Sequence, residues 1–267
     1  MRHRLHAAAI AIGALLCCTA VFARDIRVAF GFTLPPYVFP SDNTGLEVDI
    51  VRSALAKRGL GFIPDYVPFA RVPRQLADGL SDAASTVDET VALPGAVFSE
   101  SHVTYQNVVV TLKSRQLKMA SVDDLRTRNV IAFQNATHYL GKPYAKAVQA
   151  NRNYKELSNQ ESQVILFYAH RADAIVLDIN IFNFYRADLH QRSSTSGQAP
   201  DSPSAKWADA NKIDFTQDVD IHPLFPVNHY KVAFRDTADR DSFNEGLTEL
   251  RSSGEYDAII ARYLPGQ

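Results

Sequence analysis

Short runs of β-forming residues alternate along this chain with apolar residues spaced three and four apart, the pattern of a layered α/β protein. Residues 26–30 read as a buried strand ended by Gly31, and Leu46, Ile50, Val51, Ala54 and Leu55 then recur at helical spacing. Gly59 and Gly61 supply a stop for that helix. A short helix is predicted over 72–78, closed by Gly79, with strands over 83–87 and 108–112. A second series follows: a strand over 130–133, helices near 144–150 and 161–169, and a buried strand over 174–177. Phe243, Leu247 and Leu250 mark one closing helix, stopped by Gly254, and Tyr256, Ile259, Ile260 and Tyr263 mark another. Strands alternating with helices imply mostly parallel sheets.

The first residues do not fit this pattern. Arg2 and Arg4 precede an apolar run over 7–18, too short to span a bilayer, and Val21 and Ala23 place small residues where a signal peptidase would cut. A cleaved signal peptide over 1–23 is therefore expected, with Arg24 as the mature start. A lipid anchor on Cys17 or Cys18 is the alternative, but Leu16 and Cys17 stand where a small residue would precede the modified cysteine.

Export narrows the chemistry. Both cysteines lie in the leader, so residues 24–267 form no disulfide and offer no thiolate to a metal or a substrate. Stability must come from an apolar core, which a chain of this length can build as one large domain or two lobes. Removing Arg2 and Arg4 from the 28 basic side chains leaves 26 against 29 acidic, a formal charge of −3. That balance argues against a nucleic-acid partner. Residues 193–203 are rich in Ser, Gly and Pro and read as a surface loop. The single tryptophan, Trp207, follows directly and is expected to anchor that loop.

Seven segments in order carry a resemblance: PPYVF at 35–39, GLEVDIVRSALAKR at 45–58, LADGLSDAASTV at 76–87, FSES at 98–101, SVDDLRTRNVIAFQNATHY at 121–139, RADAIVLD at 171–178 and SFNEGLTELRSSGEYDAIIARYL at 242–264. Together they resemble the family 3 solute-binding proteins of bacterial ABC importers, which capture small polar ligands such as amino acids. The resemblance implies a type II periplasmic-binding-protein fold: two α/β lobes with mostly parallel sheets, joined by two crossing strands, the ligand between them. On this reading residues 24–111 and 231–267 form the first lobe and 112–230 the second. The crossings then fall near Leu112 and Lys113 and between Asp220 and Lys231. The implied protein is a periplasmic monomer without a cofactor that delivers its ligand to an ABC permease, or presents its closed form to a membrane sensor.

Ligands of open α/β sheets sit beyond the carboxyl ends of the strands. Phe32 and Tyr37, after the first strand, are candidates to stack on a ligand, core aromatics being the alternative. Phe69 leads into the short second helix with Arg71, a candidate cation whose alternative is a solvated surface position. Ser85 and Thr86 end a strand and offer hydroxyls to an anion or amide, or act as a plain cap. The resemblance implies that the turn at Asn135 and Thr137 holds a ligand carboxylate, with Asn135 replacing a glycine because Asn tolerates left-handed backbone. It also implies that Asp178 pairs with a ligand ammonium, a helix cap being the alternative.

One departure from the family pattern bears on the ligand. Amino-acid binders carry an arginine after the first-lobe strand that grips the ligand carboxylate bidentately. No Lys or Arg occurs between Arg74 and Lys113, and Asp88 and Glu89 stand there instead. Either Arg71 acts from another direction, or the ligand is not a standard α-amino acid, or amino-acid binding is lost; the second reading is adopted, with an amine-bearing ligand facing Asp178 and Glu89. A dehydratase built on the same fold would need Glu89, Glu100 or Asp178 as acid or base, but no second catalytic group is fixed by spacing. No G-x-S-x-G elbow occurs. His102, His138, His170, His190, His222 and His229 lack the spacing of a metal site.

Overall fold

The computed structural model describes residues 24–32, 34–194 and 202–265. The expected leader over 1–23 lies outside the described residues. Two mixed sheets organise the chain. The first comprises β1 (Asp25–Gly31), β2 (Gly61–Val67), β3 (Ala83–Val87), β4 (Val97–Phe98), β5 (Val103–Tyr105) and a late strand at Asn228–Phe234. The second comprises β6 (Asn107–Leu112), β7 (Val130–Phe133), β8 (Tyr154–Leu157), β9 (Ala174–Asp178) and β10 (Val219–His222), so the late strand is β11.

In the first sheet the order is β2-β1-β3-β11-β4, with β5 also pairing β11. In the second it is β10-β6-β9-β7-β8. Three neighbouring strands of each sheet run parallel: β2, β1 and β3 in one, β9, β7 and β8 in the other. The rest are antiparallel, so the sheets are mixed rather than mostly parallel. The reason is connectivity. Parallel neighbours need a long crossover, whereas β6 enters directly from the other sheet and pairs antiparallel without one. β6, β7 and β9 are buried along their whole length, as strands covered on both faces must be.

The crossing itself is displaced from its expected place. The strand over Asn107–Leu112 already pairs with β9, so the chain leaves the first sheet at Gln106, not at Leu112 and Lys113. An unbroken apolar run marks a buried strand without saying which sheet buries it. The return lies between β10 and β11, over residues 223–227. Asn107 Nδ2 donates to Asn228 Oδ1 at 3.1 Å, tying the two crossing segments together.

Helices α1 (Leu46–Lys57) and α2 (Val72–Ala77) serve the first sheet, and α3 (Ala136–Tyr139), α4 (Gly141–Gln149), α5 (Gln160–Tyr168), α6 (Ile179–Ser194) and α7 (Pro203–Ala210) follow. The chain returns to α1 with α8 (Thr237–Ser252) and α9 (Glu255–Tyr263). Asn159, Ser202 and Asp236 cap α5, α7 and α8, each side-chain oxygen accepting an otherwise unpaired backbone N–H. The expected 193–203 loop is shorter at both ends: Ser193 and Ser194 close α6 and Pro203 opens α7, where proline's missing N–H costs nothing. Its middle lies outside the described residues. Trp207 is 41% exposed on α7, so it does not anchor a loop by burial.

Helix α8 lies on α1 because Gly246 has no side chain. A Cβ there would stand 2.0 Å from the Ala54 carbonyl oxygen. Gly246→Ala must therefore separate two helices that share the first sheet's core, and we expect it to cost about 2 kcal/mol. A urea titration reads this as a lower midpoint with unchanged slope; an unchanged midpoint would show that the contact is easily relaxed.

Candidate functional site

The carboxyl ends of both parallel strand sets face each other across the crossings. Between them lies a cavity lined by Phe32, Leu34, Phe69 and Thr86 from the first lobe, and by Phe133, Gln134, Ser158, Gln160, Asp178 and Ile181 from the second. Tyr105, Asn107 and Tyr230, beside the crossings, complete it. Its volume is about 30 Å³, space for no more than a couple of waters. Among the described residues, no basic side chain lines it.

Asp178 ends β9 at the centre of this arrangement and is 2% exposed. Its Oδ1 accepts from the backbone N–H of Asn180 at 2.8 Å and of Ile181 at 3.1 Å, which caps α6. Oδ1 also accepts from the Tyr37 hydroxyl of the first lobe at 3.0 Å, while Oδ2 accepts from Gln106 N at 2.8 Å. The carboxylate therefore acts as the helix cap expected as the alternative, and it also lines the cavity. Burial pushes its pKa up to about 6, against the pull of those donors. Burial, then the Asp178 charge, pushes the Tyr37 phenol well above its usual range, so that hydroxyl stays a donor.

Tyr37 reaches Asp178 because its own segment is pinned. Its carbonyl accepts from Glu47 N at 3.0 Å, and its ring stacks on Tyr105 with centroids 3.8 Å apart. Gly45 makes the turn possible: its φ is 131°, and a Cβ there would stand 2.2 Å from the Tyr37 carbonyl oxygen. Tyr37 is thus a buried link between lobes rather than an open stacking platform.

Glu47, in the first turn of α1, points inward and is fully buried. Its carboxylate accepts from Ser85 Oγ at 2.6 Å, from Thr86 Oγ1 at 2.9 Å to both oxygens, and from Tyr105 OH at 3.3 Å. His102 Nε2 lies 2.9 Å away. Burial raises this carboxyl's pKa, but the hydrogen bond and charge of His102, with the two hydroxyls, outweigh it and hold the group below its usual range. The cluster explains a strained residue. Thr86 has φ 58°, rare for a β-branched side chain, and Glu47 holds it there while it faces the cavity.

The turn expected to hold a ligand carboxylate holds one from this chain. Asn135, at φ 64°, donates its N–H to Glu156 Oε2 at 2.7 Å. Glu156 Oε1 accepts from Thr137 N and Thr137 Oγ1, both at 3.0 Å, and from Tyr154 OH at 2.7 Å. The left-handed backbone anticipated for Asn135 is present; what the turn binds is Glu156.

The remaining candidates divide. Phe32 and Phe69 line the cavity, and Phe69 packs on Tyr139 of the second lobe with centroids 5.3 Å apart. Ser85 is fully buried against Glu47 and lies outside the lining. Arg71 is exposed on a 3-10 turn and also lies outside it, so no basic residue replaces the missing arginine in the lining. Glu89 pairs with Lys231, whose ammonium lowers its pKa, and neither Glu89 nor Glu100 lines the cavity. Among the three acids considered for dehydratase chemistry, Asp178 alone reaches the site. The reading of the sequence missed Gln134, Ser158, Gln160, Tyr105, Tyr230, Glu47 and Glu156. Glu47 left one signal, an acid among the apolar helix residues; the others sit where neither periodicity nor a motif marks them.

Comparison with known proteins agrees with this architecture. The model of the bacterial extracellular solute-binding proteins, family 3, matches residues 26–266. A probable histidine-binding protein of Campylobacter jejuni is 22% identical over 246 residues, covering 89% of this chain and 84% of the relative. Among solved structures, a histidine kinase sensor domain similar to periplasmic binding proteins superposes with a TM-score of 0.69 at 18% identity, covering 92% of this chain and 98% of that one. An ancestral arginine-binding protein bound to arginine gives a TM-score of 0.65 at 20% identity, covering 90% and 98%.

The Asp178 environment has a signature in pH. Its folded pKa is about 6 against an ordinary 3.8, so the stability it contributes is present below about pH 4 and is lost as pH rises through 6. Relative to Asp178→Asn, the native protein should lose about 3 kcal/mol across that interval. Denaturant titrations of both proteins from pH 4 to 6.5 check this; a constant difference would show that Asp178 does not titrate as placed.

Proposed function

The chain belongs to family 3 of the bacterial extracellular solute-binding proteins, and from that membership we propose that it captures a small, polar, amine-bearing ligand between its lobes. The observation that carries this reading is the cavity at the crossings, whose lining holds one carboxylate, two glutamines and no basic side chain. A positively charged amine supplies the positive charge that the described lining lacks and meets Asp178 Oδ2, which accepts from Gln106 N. Phe32, Phe69 and Tyr230 provide aromatic walls, and aromatic faces attract cations. Thr86 lines the same space.

A cavity of about 30 Å³ admits such a ligand only if the lobes part. The two short connections, at Gln106 and over 223–227, are the hinges, and the Tyr37–Asp178 hydrogen bond is the contact that opening breaks. Closure then removes the ligand from water and strengthens its pairing with Asp178. Its relatives include a probable histidine-binding protein and an ancestral arginine-binding protein, both named for amino acids with nitrogen-bearing side chains.

In the cell, the reading is of an exported periplasmic monomer, its leader removed before Arg24, that hands its ligand to an ABC permease. The similarity to a histidine kinase sensor domain supports a second reading, in which the closed form is presented to a membrane sensor. Loss of labelled ligand uptake on deleting the gene favours import; unchanged uptake with a lost transcriptional response favours sensing.

The binding reading is tested by a thermal-shift screen of amines, cationic amino acids and organic acids, followed by titration calorimetry of each hit. Amines should raise the melting midpoint and organic acids should not. Asp178→Asn, which keeps the shape and removes the charge, should weaken binding by about tenfold or more. Equal affinity in the variant would remove Asp178 from the site.

A further inference from the structure

Four donors of the second lobe converge on one carboxylate. Two are backbone N–H groups, of Asn135 and Thr137, and two are hydroxyls, of Thr137 and Tyr154. Successive backbone N–H groups at a left-handed turn make a concave nest that takes an anion. Here the anion is Glu156, half-buried on β8, two residues before the cavity-lining Ser158, and Asn135 adjoins the cavity-lining Gln134. Tyr154 is itself backed by Tyr144 OH at 3.4 Å, so the arrangement extends into the lobe.

Two buried acceptors on the second lobe's side of the cavity have no partner among the described residues. Gln160 is 6% exposed, and its Oε1 is buried without a partner. Gln134 Oε1 is likewise buried and unpartnered. A buried acceptor left unpaired costs about 1–3 kcal/mol, so a ligand that donates to it recovers that cost. The donors of the Asn135–Thr137 turn are taken by Glu156, and a second carboxylate beside Glu156 and Asp178 would meet two like charges.

We propose that Glu156 is a specificity-determining residue: by filling the donor nest beside the cavity it excludes the carboxylate of an amino acid and restricts the cleft to amines that lack one. This rests on the amine-binding reading of the cleft above, and adds to it which amines are accepted.

The test uses pairs that differ only by a carboxylate: arginine with agmatine, histidine with histamine, and ornithine with putrescine. Titration calorimetry on the native chain should show the amine of at least one pair binding tenfold or more tighter than its amino acid. Glu156→Ala should narrow that ratio at least tenfold by opening the nest to the ligand's carboxylate. A native protein that prefers the amino acid, or a ratio unchanged by the substitution, would overturn the proposal. A second arm needs no ligand pair. Sodium acetate, against sodium chloride of equal ionic strength, should raise the melting midpoint of Glu156→Ala by several degrees and leave the native chain unmoved. An equal response, or none in either protein, also overturns it. If Glu156→Ala does not fold, Glu156→Gln takes its place in the calorimetry, because it keeps the side chain's size and removes the repulsion of a carboxylate. Acetate rescue with no pair binding either protein would leave the role of Glu156 supported and bring down the amine reading instead.

Discussion

The structure turns on one buried carboxylate. Asp178 stands where β9 gives way to α6, caps that helix, fixes the crossing through Gln106 N and accepts the Tyr37 hydroxyl from the opposite lobe. A single charge thereby couples the second lobe's own fold, one crossing segment and the contact between lobes. Taking a carboxylate out of water is costly unless it is hydrogen-bonded, and the four donors around Asp178 meet that need only while the lobes are together. Opening removes the Tyr37 donor and leaves the carboxylate under-satisfied. On the proposed reading, a cation entering the cleft gives that carboxylate a new partner.

Two further acids, Glu47 and Glu156, work differently. Glu47 is enclosed by Ser85, Thr86, Tyr105 and His102, and its task is positional: it holds Thr86 in a backbone conformation that a β-branched residue seldom adopts, at the wall of the cavity. Glu156 satisfies the donor nest of the second lobe and so shapes what the cleft refuses. One acid joins the lobes, one braces a wall, one closes a subsite. In none of the three is the pairing a surface ion pair, which would contribute little.

Much of the fold was legible because periodicity follows from burial. The strands over 83–87 and 130–133 and the helices that carry Leu46, Phe243 and Ile259 lie where apolar spacing put them. The crossing was misplaced because residues 108–112 are apolar throughout and fit either sheet equally well. The mixed sheets escaped notice because pairing direction depends on connections that no local pattern records. The site was half legible. Asp178 was found at a strand end, and Asn135 as a residue suited to positive φ. Glu156, however, acts through a turn about twenty residues away in sequence, and the glutamines are defined by what they do not touch. Arg71 looked like a replacement cation from its place beside Phe69, but a 3-10 turn carries it to the surface.

The central claim is that the interlobe cleft, with Asp178 as its charged lining residue, takes a small cation. Native mass spectrometry of the protein purified from its own host without unfolding tests that claim most directly, followed by identification of the released molecule. The account predicts a bound small amine that carries net positive charge. A co-purified organic acid, phosphate or other anion, released from the native protein and absent from Asp178→Asn, would contradict it.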